Sequence, residues 1–250
     1  WDAEWESRED LAEVAGSGNL VGVTAMLYWH SESEKKEFIE KMDFRGNNAL
    51  HYSCKAGHSE VVKYLLAHGA SVEARNRKGE TALHQACGNG HIETARALLT
   101  EGGTQIDAVC KDGKTAMVYC ITGSASSKMA KFLLESGADA SHSNPFDGRT
   151  PLHWALMHGV SKIAQLLINT MNPKKTSQAN LFPPGGKKAD LRLIRDGNGD
   201  TPLHAACGCM AADPAAALNM VKLVLKSCGD GTAQGGNDIS GRRCSSSSSS

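Results

Sequence analysis

Four tetrapeptides along this chain nearly coincide: Asn48-Ala49-Leu50-His51, Thr81-Ala82-Leu83-His84, Thr150-Pro151-Leu152-His153 and Thr201-Pro202-Leu203-His204. A degenerate fifth, Thr115-Ala116-Met117-Val118, keeps the register with Val in the His position. Each stands two residues after a glycine: Gly46, Gly79, Gly113, Gly148 and Gly199. The first three steps are 33, 34 and 35 residues. At such a period each unit is one supersecondary element that cannot bury its apolar face alone. Stacking on neighbours supplies the core, so at least three units are needed and the chain is predicted to form a quasi-one-dimensional array.

Inside each unit the apolar residues recur at helical spacing, as in Leu50, Ser53 and Cys54, then Val61, Tyr64 and Leu65. Two short helices are predicted, over about 48–56 and 59–67. Gly57 separates them in a turn that a Cβ would oppose, and Gly69 ends the second. Thr81, Thr150 and Thr201 suit the cap of the first helix, and Pro151 and Pro202 its first turn. Small residues (Ala86, Cys87, Ala155, Ala206, Cys207) mark close helix contact.

The remaining positions repeat as well. Leu50-His51 is followed by Ala56-Gly57-His58, Val61-Val62-Lys63-Tyr64-Leu65-Leu66 and Gly69-Ala70. Gly90-His91, Ala97-Leu98-Leu99 and Gly102 follow Leu83-His84, and later copies read Phe132-Leu133-Leu134 with Gly137-Ala138-Asp139, and Leu166-Leu167-Ile168. This pattern resembles the ankyrin repeat family over about residues 43–228. The resemblance implies an all-α ankyrin-repeat solenoid: helix-turn-helix pairs joined by β-hairpin-like fingers. About five repeats are expected, at 43–75, 76–109, 110–143, 144–194 and 195–228. It also implies that the His of each Leu-His pair bonds backbone between neighbouring repeats rather than acting as a catalyst, and that His58 and His91 belong to the Gly-His turn.

Departures from the pattern divide the chain further. Residues 1–42 read as a degenerate capping repeat, with Leu11, Ala15, Gly16, Val21 and Leu27, followed by a charged insert at 31–41. The third repeat lacks both its His and its Gly-His turn, since Gly123-Ser124-Ala125-Ser126-Ser127 stands there; it is predicted to be the weakest link. A loop insert is expected at about 171–191 and extra residues at 211–217. From 229 to 250, Gly and Ser dominate and predict disorder. The chain opens on Trp1-Asp2-Ala3-Glu4-Trp5 rather than Met, as a piece of a longer protein would.

Formal net charge is zero. That argues against a general polyanion surface, which needs clustered basic charge, so no nucleic acid is expected. No run of 18 apolar residues occurs, so no membrane insertion is expected. Cys54, Cys87 and Cys207 each fall eight residues after a repeat glycine. Cysteines that follow the repeat period read as small buried hydrophobes and not as a disulfide framework. A reducing intracellular compartment is expected, the cytoplasm ahead of the nucleus.

No G-x-S-x-G, Walker A or H-E-x-x-H motif occurs. No catalytic residue, cofactor or small-molecule substrate is expected. His204, Cys207 and Cys209 form the one cluster that invites a metal reading, yet two of the three are explained by repeat columns and zinc needs four convergent ligands. Lys174-Lys175 and Lys187-Lys188 read as solvated loop.

A recognition surface is the better candidate. The resemblance implies that partners bind the finger tips and the concave face of the first helices. The variable positions there are those beside the Gly, the residue after Leu-His, and the pair before the next Gly. On this chain the implied partner-binding residues are Phe44, Arg45, Asn47, Tyr52, Arg77, Lys78, Gln85, Lys111, Tyr119, Phe146, Arg149, Trp154, Met157 and His158. Five of the 13 aromatics lie among them, and aromatics with Arg are what interface hot spots favour. Tyr119 and Trp154, from adjacent repeats, are expected side by side. The expected function is a protein-protein interaction scaffold. The alternative is a targeting or regulatory arm of a larger enzyme, of kinase or ubiquitin ligase type. A redox or metal-responsive cysteine protein is a third possibility.

Overall fold

The structure, a computed structural model, describes residues 10–123, 126–171, 194–208, 218–219, 221–222 and 224–226. The segments expected as loop, extra residues and disorder at 172–191, 211–217 and 229–250, and the residues Lys174, Lys187 and Cys209, lie outside the described residues. Among the described residues there are helices and turns and no strand: α1 (Leu11–Gly16), α2 (Leu20–Tyr28), α3 (Glu32–Glu40), α4 (Ala49–Ala56), α5 (Ser59–Ala67), α6 (Ala82–Asn89), α7 (Ile92–Glu101), α8 (Ala116–Thr122), α9 (Ser127–Glu135), α10 (Pro151–Met157), α11 (Ser161–Met171) and α12 (Pro202–Gly208).

The first helices form one continuous inner row, α1 on α4, then α6, α8, α10 and α12. The second helices form an outer row in which α5 packs on α7 and α9 on α11. The core follows the period. Leu50, Leu83, Met117 and Leu152 are fully buried at one register of the inner row, and Leu65, Leu98, Leu133 and Leu167 at one register of the outer row. Burying such a side chain is worth about 2 kcal/mol, so each unit gains its stability from the seam it shares with its neighbours. Cys54, Cys87 and Cys120 occupy the tight inner seam, and burial pushes all three thiols up.

Gly57 shows how the turn is fixed. It closes α4 at φ +88°, and a Cβ there would come within 2.5 Å of the His91 ring from the next repeat. His91 Nε2 in turn bonds the Lys55 carbonyl at 3.1 Å. One repeat earlier, His58 lies on Gly18 in the same way and bonds the Gly16 carbonyl at 3.1 Å. Glycine and histidine of the Gly-His turn are therefore two halves of one inter-repeat contact. The contact that joins repeats thus also joins α1 and α2 to the helices that follow them.

The charged stretch at 31–41 is a helix, α3. Ser31 and Glu34 form a capping box, with the Glu34 carboxylate accepting the Ser31 N–H at 2.8 Å, and Ile39 is fully buried. Two further details bear on the third repeat. Val118 is buried where the other units carry His, and the Thr115 hydroxyl is buried with no partner. The outer row also thins between α7 and α9, where Arg96 lies over the Phe132 ring at 5.0 Å.

A candidate partner-binding groove

Each finger is a tight turn, and four of the five are held by a polar side chain, the third having Cys110 at that position. The Asp43 carboxylate accepts the Arg45 and Asn47 N–H groups at 2.8 and 2.7 Å. Asn76 does the same for Lys78 and Glu80, and Asp196 for Asn198 and Asp200. Neighbouring fingers share one backbone bond: Arg77 N–H to the Arg45 carbonyl at 2.9 Å, Lys111 N–H to Lys78 at 2.9 Å, and Gly197 N–H to Asp147 at 2.7 Å. At the equivalent donor position of the fourth finger stands Pro145, which has no N–H. The Asn144 side-chain amide substitutes by donating to the Asp112 carbonyl at 2.9 Å.

The Leu-His histidines lock the fingers to the helices. His84 Nε2 donates to the Lys114 carbonyl of the next finger at 3.1 Å, while Nδ1 accepts from the Thr81 N–H (3.1 Å) and hydroxyl (2.9 Å). His153 repeats this with Thr150 and the Asp200 carbonyl, and His51 bonds the Glu80 carbonyl at 3.1 Å. Burial lowers the pKa of His51, His84 and His153, with the bonds to backbone opposing it in part. The neutral ring is also the form that geometry demands at His84 and His153, because a second ring N–H would face the donors of Thr81 or Thr150. The histidines brace the stack, as the resemblance implied.

Between the first two fingers and helices α4, α6 and α8 of the inner row lies an open groove of about 500 Å³. It brings together eight of the fourteen expected contact residues: Phe44, Arg45, Asn47, Tyr52, Arg77, Lys78, Gln85 and Tyr119. Tyr52 is tied to the finger by its hydroxyl, which donates to Asp43 at 2.6 Å. Tyr119 reaches back across a repeat to donate to Glu80 at 2.5 Å, and its ring meets the His84 edge at 5.0 Å. Glu80 also accepts from Asn76 and Gln85, both at 2.7 Å. Burial raises the Glu80 pKa, but the bonds from Tyr119 and Asn76 outweigh it and the net shift is downward.

The other expected residues lie elsewhere. Lys111 is exposed on the third finger, and Phe146 is 73% exposed on the fourth. Trp154 is half-buried under Lys114 Nζ at 5.0 Å and stacks on His158 at 5.9 Å. Its indole N–H is buried without a partner. Arg149 is paired internally with Asp196 at 3.4 Å and Asp147 at 3.8 Å. With Met157 it lines a separate cleft of about 250 Å³ toward α12. Tyr119 and Trp154, expected side by side, thus take separate partners. Lys55 and Asn76 line the groove and were not among the expected residues. Lys55 was within reach of the sequence: it lies one helical turn after Tyr52, on the same face of α4.

Among the described residues no group of three His, Cys, Asp or Glu side chains could hold a metal ion, and no helix is long and apolar enough to cross a membrane. The family profile described as ankyrin repeats (3 copies) matches residues 11–109, 72–144, 103–180 and 124–235. The chain belongs to the ankyrin repeat family, whose repeats are a non-catalytic fold and serve as protein-protein interaction modules. Among curated proteins it is similar to the transient receptor potential cation channel subfamily A member 1 of Homo sapiens, with 28% identity over 175 residues. That match covers 64% of this chain and 15% of the relative's length.

Proposed function

We propose that this chain is a protein-interaction scaffold whose partner lies in the groove between the first two fingers and helices α4, α6 and α8. The observation that carries this is the convergence, from three successive repeats, of aromatic and guanidinium groups on one open concavity: Phe44, Arg45, Tyr52, Arg77 and Tyr119. The histidine and finger bonds hold these side chains on a rigid frame. Preorganised groups lose little freedom on binding. The reading assigns no catalytic residue and no cofactor.

Photo-crosslinking tests it. A benzophenone amino acid placed at Gln85, inside the groove, is expected to capture a partner protein that the same amino acid at Arg96, on α7, does not. Equal capture from both positions would show that binding does not use the groove.

A further inference from the structure

The charges of this chain are sorted by face. On the outer helices three cations pair with a carboxylate of their own helix: Lys63 with Glu60 at 2.9 Å, Arg96 with Glu93 at 3.4 Å, Lys131 with Glu135 at 3.6 Å. At the far edge of the repeats the carboxylates are used as backbone acceptors between units. Glu40 takes the Ser71 N–H, Glu73 the Gln105 N–H and Asp107 the Asp139 N–H. The groove is different. Arg45, Lys55, Arg77 and Lys78 line it, and among the described residues none of them makes an ion pair. Lys111 and Lys114 continue the strip along the third finger, where Asp112 is the one exposed carboxylate.

The acids nearest the strip offset only part of it: Glu80 and Asp43 stay ionised, but they are two against four cations, and donors of the fold occupy their oxygens. Glu80, the one carboxylate lining the groove, is buried and accepts from Tyr119, Asn76 and Gln85. Asp43 accepts from Tyr52 and from two backbone N–H groups. A chain of zero net charge thus carries a local positive field on one face.

We infer that the segment bound in this groove is an extended acidic stretch of a partner protein, with carboxylates about three residues apart. The inference rests on the function proposed above and names the chemistry of its partner. The spacing follows from geometry. Neighbouring repeats stack at roughly 10 Å, and a chain in the extended polyproline II form rises roughly 3.1 Å per residue with three residues per turn, so that every third side chain faces the same way. Every third side chain therefore meets the next finger: Arg45, then Arg77 with Lys78, then Lys111 with Lys114. The residues between would lie over Phe44, Tyr52 and Tyr119.

The test uses fluorescence anisotropy on the full chain at about 50 mM salt, where exposed charges are weakly screened. The probe is a fluorescein-labelled peptide of Asp-Gly-Ser repeated three times and closed by Asp. The peptide is expected to bind, and a version with Lys for every Asp is not. Arg77→Glu with Lys78→Glu, and separately Arg45→Glu, should each weaken binding at least roughly tenfold, while Arg96→Glu on α7 leaves it unchanged. Circular dichroism confirms that each variant is folded. Absence of binding, equal binding of the Lys peptide, or tighter binding of a single-stranded oligonucleotide of the same length would each overturn the inference. If the Asp peptide fails while the benzophenone at Gln85 still captures a protein, the scaffold reading stands and only the acidic partner falls.

Discussion

A pair of threonines in equivalent positions offers a sharp test of how the stack is held. Thr81 and Thr115 both cap a first helix, and both side chains are buried. The Thr81 hydroxyl bonds His84 Nδ1 at 2.9 Å. The Thr115 hydroxyl has nothing to bond, because Val118 stands where the histidine would be. Thr→Val is nearly isosteric, so each substitution removes one hydroxyl with little change of volume. In Thr81→Val the lost bond is worth about 1 kcal/mol, and His84 Nδ1 is not orphaned because the Thr81 N–H remains at 3.1 Å. In Thr115→Val a hydroxyl desolvated without compensation, a burden of about 1–3 kcal/mol, is deleted. The first variant should be destabilised by about 1 kcal/mol and the second stabilised by about 1 kcal/mol, a gap of about 2 kcal/mol between equivalent sites. Urea unfolding followed by circular dichroism reads the midpoints, and native-state amide exchange in α6 and α8 reads the local effect in case the stack unfolds in parts. Equal destabilisation by both substitutions would refute the argument that Thr115 is an orphan and, with it, the account of why the third repeat is weak.

Three further outcomes are expected. Amide exchange should be faster in α8 and α9 than in α4 and α5, since the third repeat lacks its inter-repeat histidine bond and its Gly-His turn; equal protection would count against a weak third unit. Stability should be full above about pH 6.5, the value of an unfolded histidine, and fall as pH drops from there toward the lowered folded values of His51, His84 and His153, because the unfolded chain then binds more protons. Urea midpoints between pH 7.5 and 5 measure this, and His84→Gln should flatten the curve in that window. Finally, a thiol reagent should label Cys207, which is exposed, and leave Cys54, Cys87 and Cys120 unmodified in the folded protein, as burial both hides them and disfavours the thiolate; mass spectrometry of tryptic peptides reads which are modified.

The parts of this molecule that were legible in the sequence are those fixed by periodic local chemistry. Helices expected at 48–56 and 59–67 occur at Ala49–Ala56 and Ser59–Ala67, because a cap, a glycine turn and a 3.6-residue stripe define them without help from distant residues. The histidine column was legible for the same reason. The α3 helix was obscured by its charge, since only Ile39, with Phe38 partly buried beside it, carries it into the core. Side-chain direction was not legible at Tyr119: the sequence placed it on the concave face, but only its 2.5 Å bond to Glu80, 39 residues away, shows that it braces the second repeat. Nor could spacing reveal that Arg149 is consumed by Asp196, because that pair closes across the residues between the fourth and fifth fingers.

The same bonds that build the stack also decide which charges remain for recognition. Four of the five fingers close their turn on a side-chain acceptor, supplied by Asp43, Asn76, Asn144 and Asp196, while the third, with Cys110, closes on backbone bonds alone. Each interval between units needs an acceptor for a backbone N–H, and Glu40, Glu73 and Asp107 supply it. An oxygen works in both roles, so carboxylates and amides are drawn inward. A lysine or arginine has only donors and cannot serve either role. Cations are therefore left at the tips, where solvent or a partner must satisfy them. On this argument the positive groove is a consequence of how the fingers are closed, and the specificity of the scaffold is set by how far a given finger departs from that rule. The fourth finger departs most. Its Pro145 removes the backbone donor, Asn144 takes over the bond to the third finger, and Arg149 is turned inward to Asp196. The cationic strip ends at Lys114, over the Trp154 ring, and under the proposed function the recognition surface ends with it, at the third repeat and not at the end of the stack.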